Sequence, residues 1–148
     1  MPDLGGLIGA LHLRVSDART HDYRTQSYYQ AQKFAGVSTP AARHVFDSVR
    51  SARTPEAAAK LGRCAQRLSP HLVRADWEEV KVTVMRTALR AKFTQHAAAR
   101  ALLLSTGRAR LVENSPHDYV WGCGRDGSGC NQLGILLSEL RAELSPES

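Results

Sequence analysis

Residues 76–93 read DWEEVKVTVMRTALRAKF and carry the pattern of an amphipathic helix. Asp76 and Glu79 have the three-residue spacing of a capping box, which predicts that the helix begins here. Four apolar side chains then fall on one helical face, and the basic side chains lie off it. The apolar residues are Val80, Val84, Ala88 and Leu89, and the basic ones are Lys81, Arg86 and Arg90. The stretch therefore predicts a helix that packs through one face and ends at Phe93.

Start and stop signals predict further helices on both sides of this one. Thr39 and Thr54 each precede a proline, so a hydroxyl cap and a first-turn proline predict a helix after each of them. Gly62 is expected to end the second of these helices. Other helices are predicted over residues 28–34, over 95–104 after a Thr94 cap, and over 133–144 after an Asn131 cap.

Strand signals are sparse. Leu11, Leu13 and Val15 alternate with polar residues, which predicts one short strand or hairpin arm within the first 25 residues. Residues 110–113 are predicted as another short strand. Because strands and helices do not alternate along the chain, a doubly wound parallel sheet is excluded. The expected fold is a single α+β domain over residues 1–148, predominantly α-helical, with a few short strands.

The composition is that of an ordinary globular domain, with 148 residues of which 43% are hydrophobic and 23% are charged. No run reaches the roughly 18–20 apolar residues of a membrane helix, and the start lacks the basic and apolar regions of a secretory signal. The three cysteines, at positions 64, 123 and 130, form neither a CxxC pair nor a disulfide framework. We therefore expect a cytoplasmic protein with no membrane partner.

The charge balance favours an anionic partner. Twenty Lys and Arg residues against fourteen Asp and Glu residues give a net charge of +6, which suits a phosphorylated metabolite, a nucleotide or a nucleic acid. The basic residues are dispersed and are not interleaved with aromatic ones, so the case for nucleic acid is weak. A solvated helical surface has the same composition. The sequence leaves the oligomeric state open.

The segment from Glu113 to Gly134 concentrates the residues that suit chemistry. Its glycines at 122, 124 and 127 satisfy GxGxxG, but no βαβ pattern surrounds them, so a dinucleotide fold is not indicated. A glycine turn that opens a helix can bind an anion through its backbone N–H groups. The same glycines also suit a tight turn that needs positive φ angles. Composition favours the tight turn, and both interpretations stay open.

Glu113 and Asp118 are two acids on either side of a Ser-Pro turn. Paired carboxylates suit glycosyl chemistry, in which one stabilises a cationic sugar and the other handles a proton or positions water. Such a pair is also common on solvated loops. Trp121 suits stacking on a base or packing in the core. The histidines are too scattered for a zinc site, and no GxSxG nucleophile motif is present. No metal or cofactor is therefore expected.

Four blocks follow one another in a characteristic order. The first is Tyr28-Tyr29-Gln30-Ala31-Gln32-Lys33-Phe34, the second lies within residues 76–93, and the third is Leu111-Val112-Glu113. The fourth is Asp118-x-x-Trp121-Gly122-x-Gly124-x-x-Gly127-x-Gly129-x-Asn131-x-Leu133-Gly134. Together they resemble the YbiA-like NADAR family over residues 28–144. The resemblance implies a YbiA-like fold.

The resemblance also implies an N-glycosidase. YbiA-like proteins hydrolyse the N-glycosidic bond of phosphoribosylated aminopyrimidines, which are intermediates of early riboflavin or toxoflavin-type pathways, and release ribose 5-phosphate and the free aminopyrimidine. The expected partner is therefore a small phosphorylated ribosyl-aminopyrimidine. Other family members remove ADP-ribose from bases, so an ADP-ribosyl-base glycohydrolase is an alternative. A degenerate protein that only binds a nucleotide-like ligand is another.

The resemblance implies that Asp118 and Trp121 are active-site residues, that Trp77 lies near the substrate, and that Lys33 is the lysine of the family's Gln-Ala-Gln-Lys-Phe motif. Asp118 is expected to stabilise the cationic sugar and Glu113 to assist the water, while backbone N–H groups of the glycine turn and nearby basic residues hold the phosphate. Trp121 or Trp77 is expected to stack on the pyrimidine. The further substrate-binding residues expected are Tyr28, Gln30, Lys33, Gly122, Gly124, Gly127 and Asn131.

The front of the chain, residues 1–25, diverges from the family pattern. Thr25-Gln26-Ser27-Tyr28 stands where YbiA-like sequences read Ser-Glu-His-Tyr, so Gln26 occupies the position of the catalytic glutamate unless a one-residue gap shifts the register. Glutamine keeps the shape of glutamate but neither its charge nor its ability to accept a proton. Either Asp118 and Glu113 suffice, or the enzyme is slow, or the substrate has changed.

Overall fold

The computed structural model describes residues 14–16 and 22–146. These residues fall into two compact units. The first unit contains the described residues up to Lys92, and the second unit contains residues 93–146.

Six α-helices and one short hairpin lie within the described residues. The helices are α1 (Thr25–Gln32), α2 (Pro40–Arg50), α3 (Pro55–Leu68), α4 (Trp77–Gln95), α5 (Ala97–Ser105) and α6 (Gln132–Leu144). A 3₁₀ turn over Pro70–Leu72 connects α3 to the segment before α4. Strands β1 (Arg14–Ser16) and β2 (Asp22–Arg24) pair antiparallel, with Val15 opposite Tyr23.

The expected α+β class with a few short strands is wrong, because the fold is helical. The two described strands are three residues long and pair only with each other, so within the described ranges no sheet forms a layer on which helices pack. Residues 110–113, predicted as a strand, are irregular. Their backbone binds a side chain instead: the Glu113 N–H donates to Oδ1 of Asn131, and Nδ2 of Asn131 donates to the Leu111 carbonyl. Leu11 and Leu13 lie outside the described residues.

The two predicted hydroxyl caps are confirmed. Oγ1 of Thr39 accepts a hydrogen bond from the Ala42 N–H at 3.2 Å, and Oγ1 of Thr54 accepts one from the Ala57 N–H at 3.1 Å. In each case a proline occupies the first turn. These bonds satisfy backbone donors that a helix start otherwise leaves unpaired.

Two predicted helix boundaries and one predicted side-chain cap need correction. Helix α3 continues through Gly62 to Leu68, and Gly62 is buried against Gln30 of α1. Thr94 lies inside α4, and the chain leaves the helix two residues later, where His96 is extended with φ −115° and ψ 100°. The α4 start after Asp76 is confirmed, but both carboxylate oxygens of Asp76 bind the Arg74 guanidinium, at 2.6 and 2.9 Å.

The core of the first unit is built mainly by α1, α2 and α3. One cluster contains Ala31, Val49 and Ala58, and a neighbouring cluster contains Phe34, Ala42 and Leu72. Helix α4 buries Ala88 and Leu89 of the predicted stripe, whereas Val80 and Val84 are half-buried. Each helix therefore stabilises the unit through its apolar face.

The second unit packs α5 against α6. Leu103 of α5 and Leu136, Leu137 and Leu140 of α6 are buried. Nη1 of Arg141 donates to Oγ1 of Thr106 at 2.7 Å and to the Ala109 carbonyl at 2.9 Å. The guanidinium thus ties α6 to the end of α5.

Candidate active site

The first unit brings together three of the predicted binding residues. Gln30 lies on α1, Lys33 lies in the turn that directly follows this helix, and both are buried. Trp77, at the start of α4, packs edge-on against Tyr29 with ring centroids 5.0 Å apart. Nζ of Lys33 lies 5.7 Å from the Tyr29 ring centroid and 5.8 Å from the Trp77 ring centroid. The ammonium is therefore held against two aromatic rings, an arrangement that stabilises its charge.

Lys33 is a buried cation with 4% of its surface exposed. Nζ donates to Oε1 of Gln66 at 2.8 Å. Within residues 25–146 no carboxylate forms an ion pair with it. Burial, and after it the nearby charge of Arg63, lower the pKa of Lys33 to about 8. A buried ammonium without a counter-ion is costly for stability, which marks it as a candidate anion-binding group.

Gln30 is buried against α3. Its Oε1 accepts no hydrogen bond from the described residues. A Cβ placed on Gly62 would collide with this oxygen and would lie 2.9 Å from Cβ of Gln30. Gly62 therefore leaves room for the Gln30 side chain between α1 and α3, and this explains a glycine inside α3.

The start of α1 carries the two other predicted positions of this helix. Gln26 and Tyr28 are half-buried, and Thr25 between them and the hairpin is buried. Nζ of Lys92, a residue with no exposed surface, lies 3.5 Å from Oγ1 of Thr25. The burial of Lys92 is not predictable from the sequence, since nothing local distinguishes this residue from an exposed lysine on a helix.

In the second unit, Asp118 fixes the loop that carries Trp121. Its Oδ1 accepts hydrogen bonds from the N–H groups of Val120 at 2.9 Å and Trp121 at 2.7 Å. Asp118 and Trp121 are both half-buried. Oδ2 of Asp118 accepts no hydrogen bond from the part of the chain that is described. One carboxylate oxygen therefore holds the loop, and the other remains for a ligand.

Gly122 draws the two acidic segments together. A Cβ at this position would lie 2.9 Å from the Asp118 carbonyl oxygen and 3.0 Å from the Glu113 carbonyl oxygen. The Cys123 N–H donates to that same Glu113 carbonyl at 2.9 Å. The turn therefore places the backbone of Glu113 and Asp118 side by side, which the sequence spacing alone does not establish.

Glu113 is the acid whose environment is perturbed. It is half-buried, and burial, followed by the negative charge of Asp118, raises the pKa of the Glu113 carboxyl above its usual range. Both causes disfavour the ionised form. A carboxyl group whose pKa is raised, beside a second acid, is suited to general acid and base chemistry.

The glycine turn is largely occupied by its own hydrogen bonds. Backbone N–H donors that were expected to face a phosphate bind carbonyl groups of the same loop: Gly124 to Ser115, Gly129 to Cys123, Cys130 to Tyr119, and Asn131 to Gly122. The first N–H groups of α6 are also used, with Gln132 donating to Val120 and Leu133 to Trp121. These N–H groups therefore donate to carbonyl groups of the turn rather than to an anion.

The glycines and Asn131 have separate roles in this turn. Gly124 and Gly127 have φ angles of 70° and 79°, a region that favours glycine. Gly127 is exposed beside the Asp126–Ser128 hydrogen bond. Asn131 precedes α6 as predicted, in left-handed conformation with φ 51°, but its side chain does not cap the helix. Instead it joins α6 to the segment 111–113 at 2.9 Å on each side.

Within residues 25–146, no group of three His, Cys, Asp or Glu side chains is arranged to hold a metal ion. Cys64, Cys123 and Cys130 are all free thiols. None of the helices among the described residues combines the length and the apolar character needed to cross a membrane.

Comparison with known proteins identifies relatives of this chain. The NADAR domain family matches residues 12–145. The chain is 48% identical over 119 residues to the riboflavin biosynthesis protein PYRR, chloroplastic, of Zea mays, a match that covers 80% of this chain and 19% of that protein. It thus spans about a fifth of the length of that relative. It is 46% identical over 123 residues to N-glycosidase YbiA of Escherichia coli, covering 83% of this chain and 71% of that one.

A solved structure agrees with these matches. The NMR structure of the E. coli protein YbiA superimposes with a TM-score of 0.79 and 41% sequence identity, over 98% of this chain and 80% of that one. The resemblance predicted from the ordered sequence blocks is confirmed. The chain belongs to the NADAR domain family.

Proposed function

We propose that this chain is an N-glycosidase that hydrolyses the N-glycosidic bond of a phosphoribosylated aminopyrimidine of riboflavin-related metabolism. The observation that carries the proposal is the acid pair, in which burial and Asp118 raise the pKa of Glu113. Two acids with different environments suit a reaction that needs a proton donor and a stabilising charge. The names of the relatives, N-glycosidase and riboflavin biosynthesis protein, support the same reaction and metabolism.

Glu113 is assigned the proton transfers. The carbon–nitrogen bond between the ribose and the base breaks, and the protonated Glu113 carboxyl donates its proton to the departing base nitrogen. Water then adds to the anomeric carbon and returns a proton to Glu113. The products are ribose 5-phosphate and the free aminopyrimidine, and the enzyme regains its starting state. The raised pKa of Glu113 supports this role, because it keeps the proton available closer to neutral pH.

Asp118 is assigned the stabilisation of positive charge. As the bond breaks, the sugar becomes an oxocarbenium-like cation, which a fixed carboxylate stabilises. The two N–H groups on Oδ1 hold the Asp118 side chain in one orientation. This preorganisation supports a charge-stabilising role rather than a covalent one.

Lys33 is assigned the anionic group of the substrate. Its buried ammonium has hydrogen-bond donors beyond the one that Gln66 occupies, and no carboxylate competes for it within residues 25–146. The glycine turn, whose N–H groups are largely satisfied internally, is less suited to the phosphate than the sequence predicted. Trp121, which is half-buried, is the better stacking candidate, because the Trp77 ring packs edge-on against Tyr29.

Incubation of the purified protein with the two early riboflavin-pathway aminopyrimidine ribosyl phosphates tests the proposal. Release of ribose 5-phosphate is expected from the native protein, and much slower release from E113Q. E139Q, an exposed glutamate on α6, is the matched control and is expected to retain activity. The absence of any release above buffer, with an active YbiA control in the same assay, would overturn the proposal.

A second candidate is a protein that binds the same ligand without turnover. The observation that favours it is Gln26, which stands at the position of the family's glutamate and cannot supply its charge. The variant Q26E separates the two candidates. If release of ribose 5-phosphate occurs only in Q26E, the native chain is a binder. If the native chain is active and D118N is not, the chain is an enzyme.

A further inference from the structure

One face of α3 meets the polar positions of α1. Gly62 and Gln66 are one helical turn apart on α3, whereas Gln30 lies on α1 and Lys33 lies in the turn that follows α1. Gly62 lies against the Gln30 amide, and Gln66 binds Lys33. The four-residue spacing puts Gly62 and Gln66 on one face of α3. The two contacts therefore form a seam between α3 and the end of α1 with its following turn.

Gln66 is the one hydrogen-bond acceptor of Lys33 among residues 25–146. The 2.8 Å distance is that of a good charge-assisted bond. The direction of the Gln66 amide is fixed by chemistry, because an ammonium group donates only and so must meet the carbonyl oxygen. One donor of Lys33 is thereby held, and the two others keep a defined direction.

We propose that Gln66 is a positioning residue that fixes the Lys33 ammonium for an anionic group of the substrate while leaving its positive charge uncancelled. This inference rests on the proposed function, in which Lys33 binds that group. A neutral carbonyl orients the ammonium without neutralising it. A carboxylate at the same place would form an ion pair and occupy the site. The residue type therefore distinguishes a ligand-binding lysine from a structural ion pair.

The surrounding charges agree with an anion site. Arg63 on α3 and Lys81 on α4 add positive charge around Lys33, and Glu78 on α4 adds negative charge. The Glu78 carboxylate is itself paired with the Lys81 ammonium, and it offsets part of the positive charge around Lys33. Two cations and one anion thus surround Lys33, a balance that favours an anionic ligand.

The seam also explains why α3 tolerates a glycine in its interior. With Gly62, α3 approaches the Gln30 side chain closely enough for Gln66, one turn later, to reach Lys33. A larger residue would push the helices apart at this level, since its Cβ would collide with the Gln30 amide. Gly62 therefore supports the Gln66–Lys33 contact indirectly, through the helix separation.

The test uses two substitutions of Gln66 and a charge-matched control. Q66M removes the acceptor at similar size, and Q66E replaces it with a charged one. K60Q changes the net charge by the same amount as Q66E, at an exposed position of the same helix. The pKa of Lys33 is measured in each full-length protein by NMR of the lysine Nζ and Cε resonances, and KM and kcat are measured for release of ribose 5-phosphate.

If Gln66 positions the Lys33 ammonium, Q66E and Q66M should shift the pKa of Lys33 in opposite directions. Q66E should raise the pKa of Lys33, because a carboxylate favours the ammonium, and Q66M should lower it, because an acceptor for the ammonium is lost. Both variants should raise KM about tenfold or more with a smaller change in kcat. K60Q should change neither quantity appreciably. Circular dichroism confirms that each variant is folded, and Q66N replaces Q66M if the latter does not fold.

An unchanged Lys33 pKa and unchanged KM in folded Q66M and Q66E would overturn the inference. Failure of the proposed function has a different signature, which is the absence of ribose 5-phosphate release by every form, the native chain included. In that case, a titration with inorganic phosphate followed at the Lys33 resonances decides the inference. Weaker phosphate binding by both Gln66 variants supports it, and equal binding by all forms contradicts it.

Discussion

The side-chain carbonyl of Gln66 accepts a hydrogen bond from the buried ammonium of Lys33 at 2.8 Å. This bond joins the turn after α1 to α3, and within residues 25–146 no carboxylate forms an ion pair with Lys33. Lys33 consequently keeps its charge in a low-dielectric position, with the rings of Tyr29 and Trp77 on its flanks. Such a group costs stability and is suited to binding an anion.

Substrate binding should weaken above pH 8. The pKa of Lys33 is lowered to about 8, so the folded protein loses the ammonium at a pH at which an unfolded lysine would keep it. The value of kcat/KM should therefore fall as pH rises through about 8. Arg63, Glu78 and Lys81 are the charged neighbours of Lys33 in the same profile. K33R, whose guanidinium stays charged, should lose this alkaline decline. A native profile that stays flat to pH 9.5 would contradict the assignment.

Replacement of Glu113 should reduce activity without loss of stability. The raised pKa means that the folded state disfavours the ionised carboxyl, so ionised Glu113 costs stability at pH 7, and this cost disappears as pH falls through the raised pKa. E113Q should therefore have an equal or higher Tm at pH 7, with the gain shrinking in acid. Its kcat should fall about 10²–10³-fold. A Tm that drops by several degrees at pH 7 would show that Glu113 is mainly structural.

Two variants of Asp118 should separate its charge from its hydrogen bonds. D118N keeps a carbonyl oxygen that can accept from the Val120 and Trp121 N–H groups, so its stability should change little. Its activity should fall about 10²-fold, because the charge is lost. D118A loses the acceptor as well and should be destabilised by about 0.5–2 kcal/mol, as after loss of a helix cap. Thermal unfolding and initial rates measure the two effects. Full activity in D118N would contradict the charge-stabilising role.

Substitution of Gly62 should destabilise the protein. In an ordinary helix interior, a glycine-to-alanine change stabilises by about 1 kcal/mol. Here the added Cβ would collide with the Gln30 amide, so G62A should instead destabilise by about 1–3 kcal/mol. K60A, at an exposed position of α3, should stay within about 0.5 kcal/mol of the native protein. Denaturant unfolding measures both variants, and a stabilised G62A would show that the two helices can separate without cost.

The features predicted correctly from sequence depend on residues that lie close to one another in the chain. The caps at Thr39 and Thr54 need only a hydroxyl and an N–H three residues later, so the local sequence is sufficient. Helix ends set by packing were missed. Gly62 stays helical because Gln30, 32 positions away, lies against it, and no local signal identifies that contact.

The candidate site shows the same difference between features set by local sequence and features set by contacts between distant segments. The pairing of Glu113 with Asp118 was predicted from their positions around the Ser-Pro turn, and the turn at Gly122 brings their backbones together. The role of Asn131 was only half predicted, since it precedes α6 but uses its side chain on residues 111 and 113. The burial of Lys92 and the partnership of Gln66 with Lys33 arise between distant segments, with 33 positions separating the latter pair. Periodicity could not reveal them.

The most direct test measures ribose 5-phosphate released per mole of protein from a phosphoribosylated aminopyrimidine, in native protein and in E113Q. The account predicts many turnovers for the native chain and a rate about 10²–10³-fold lower for folded E113Q. Equal rates in the two proteins, or no release by the native protein beside an active YbiA, would contradict it.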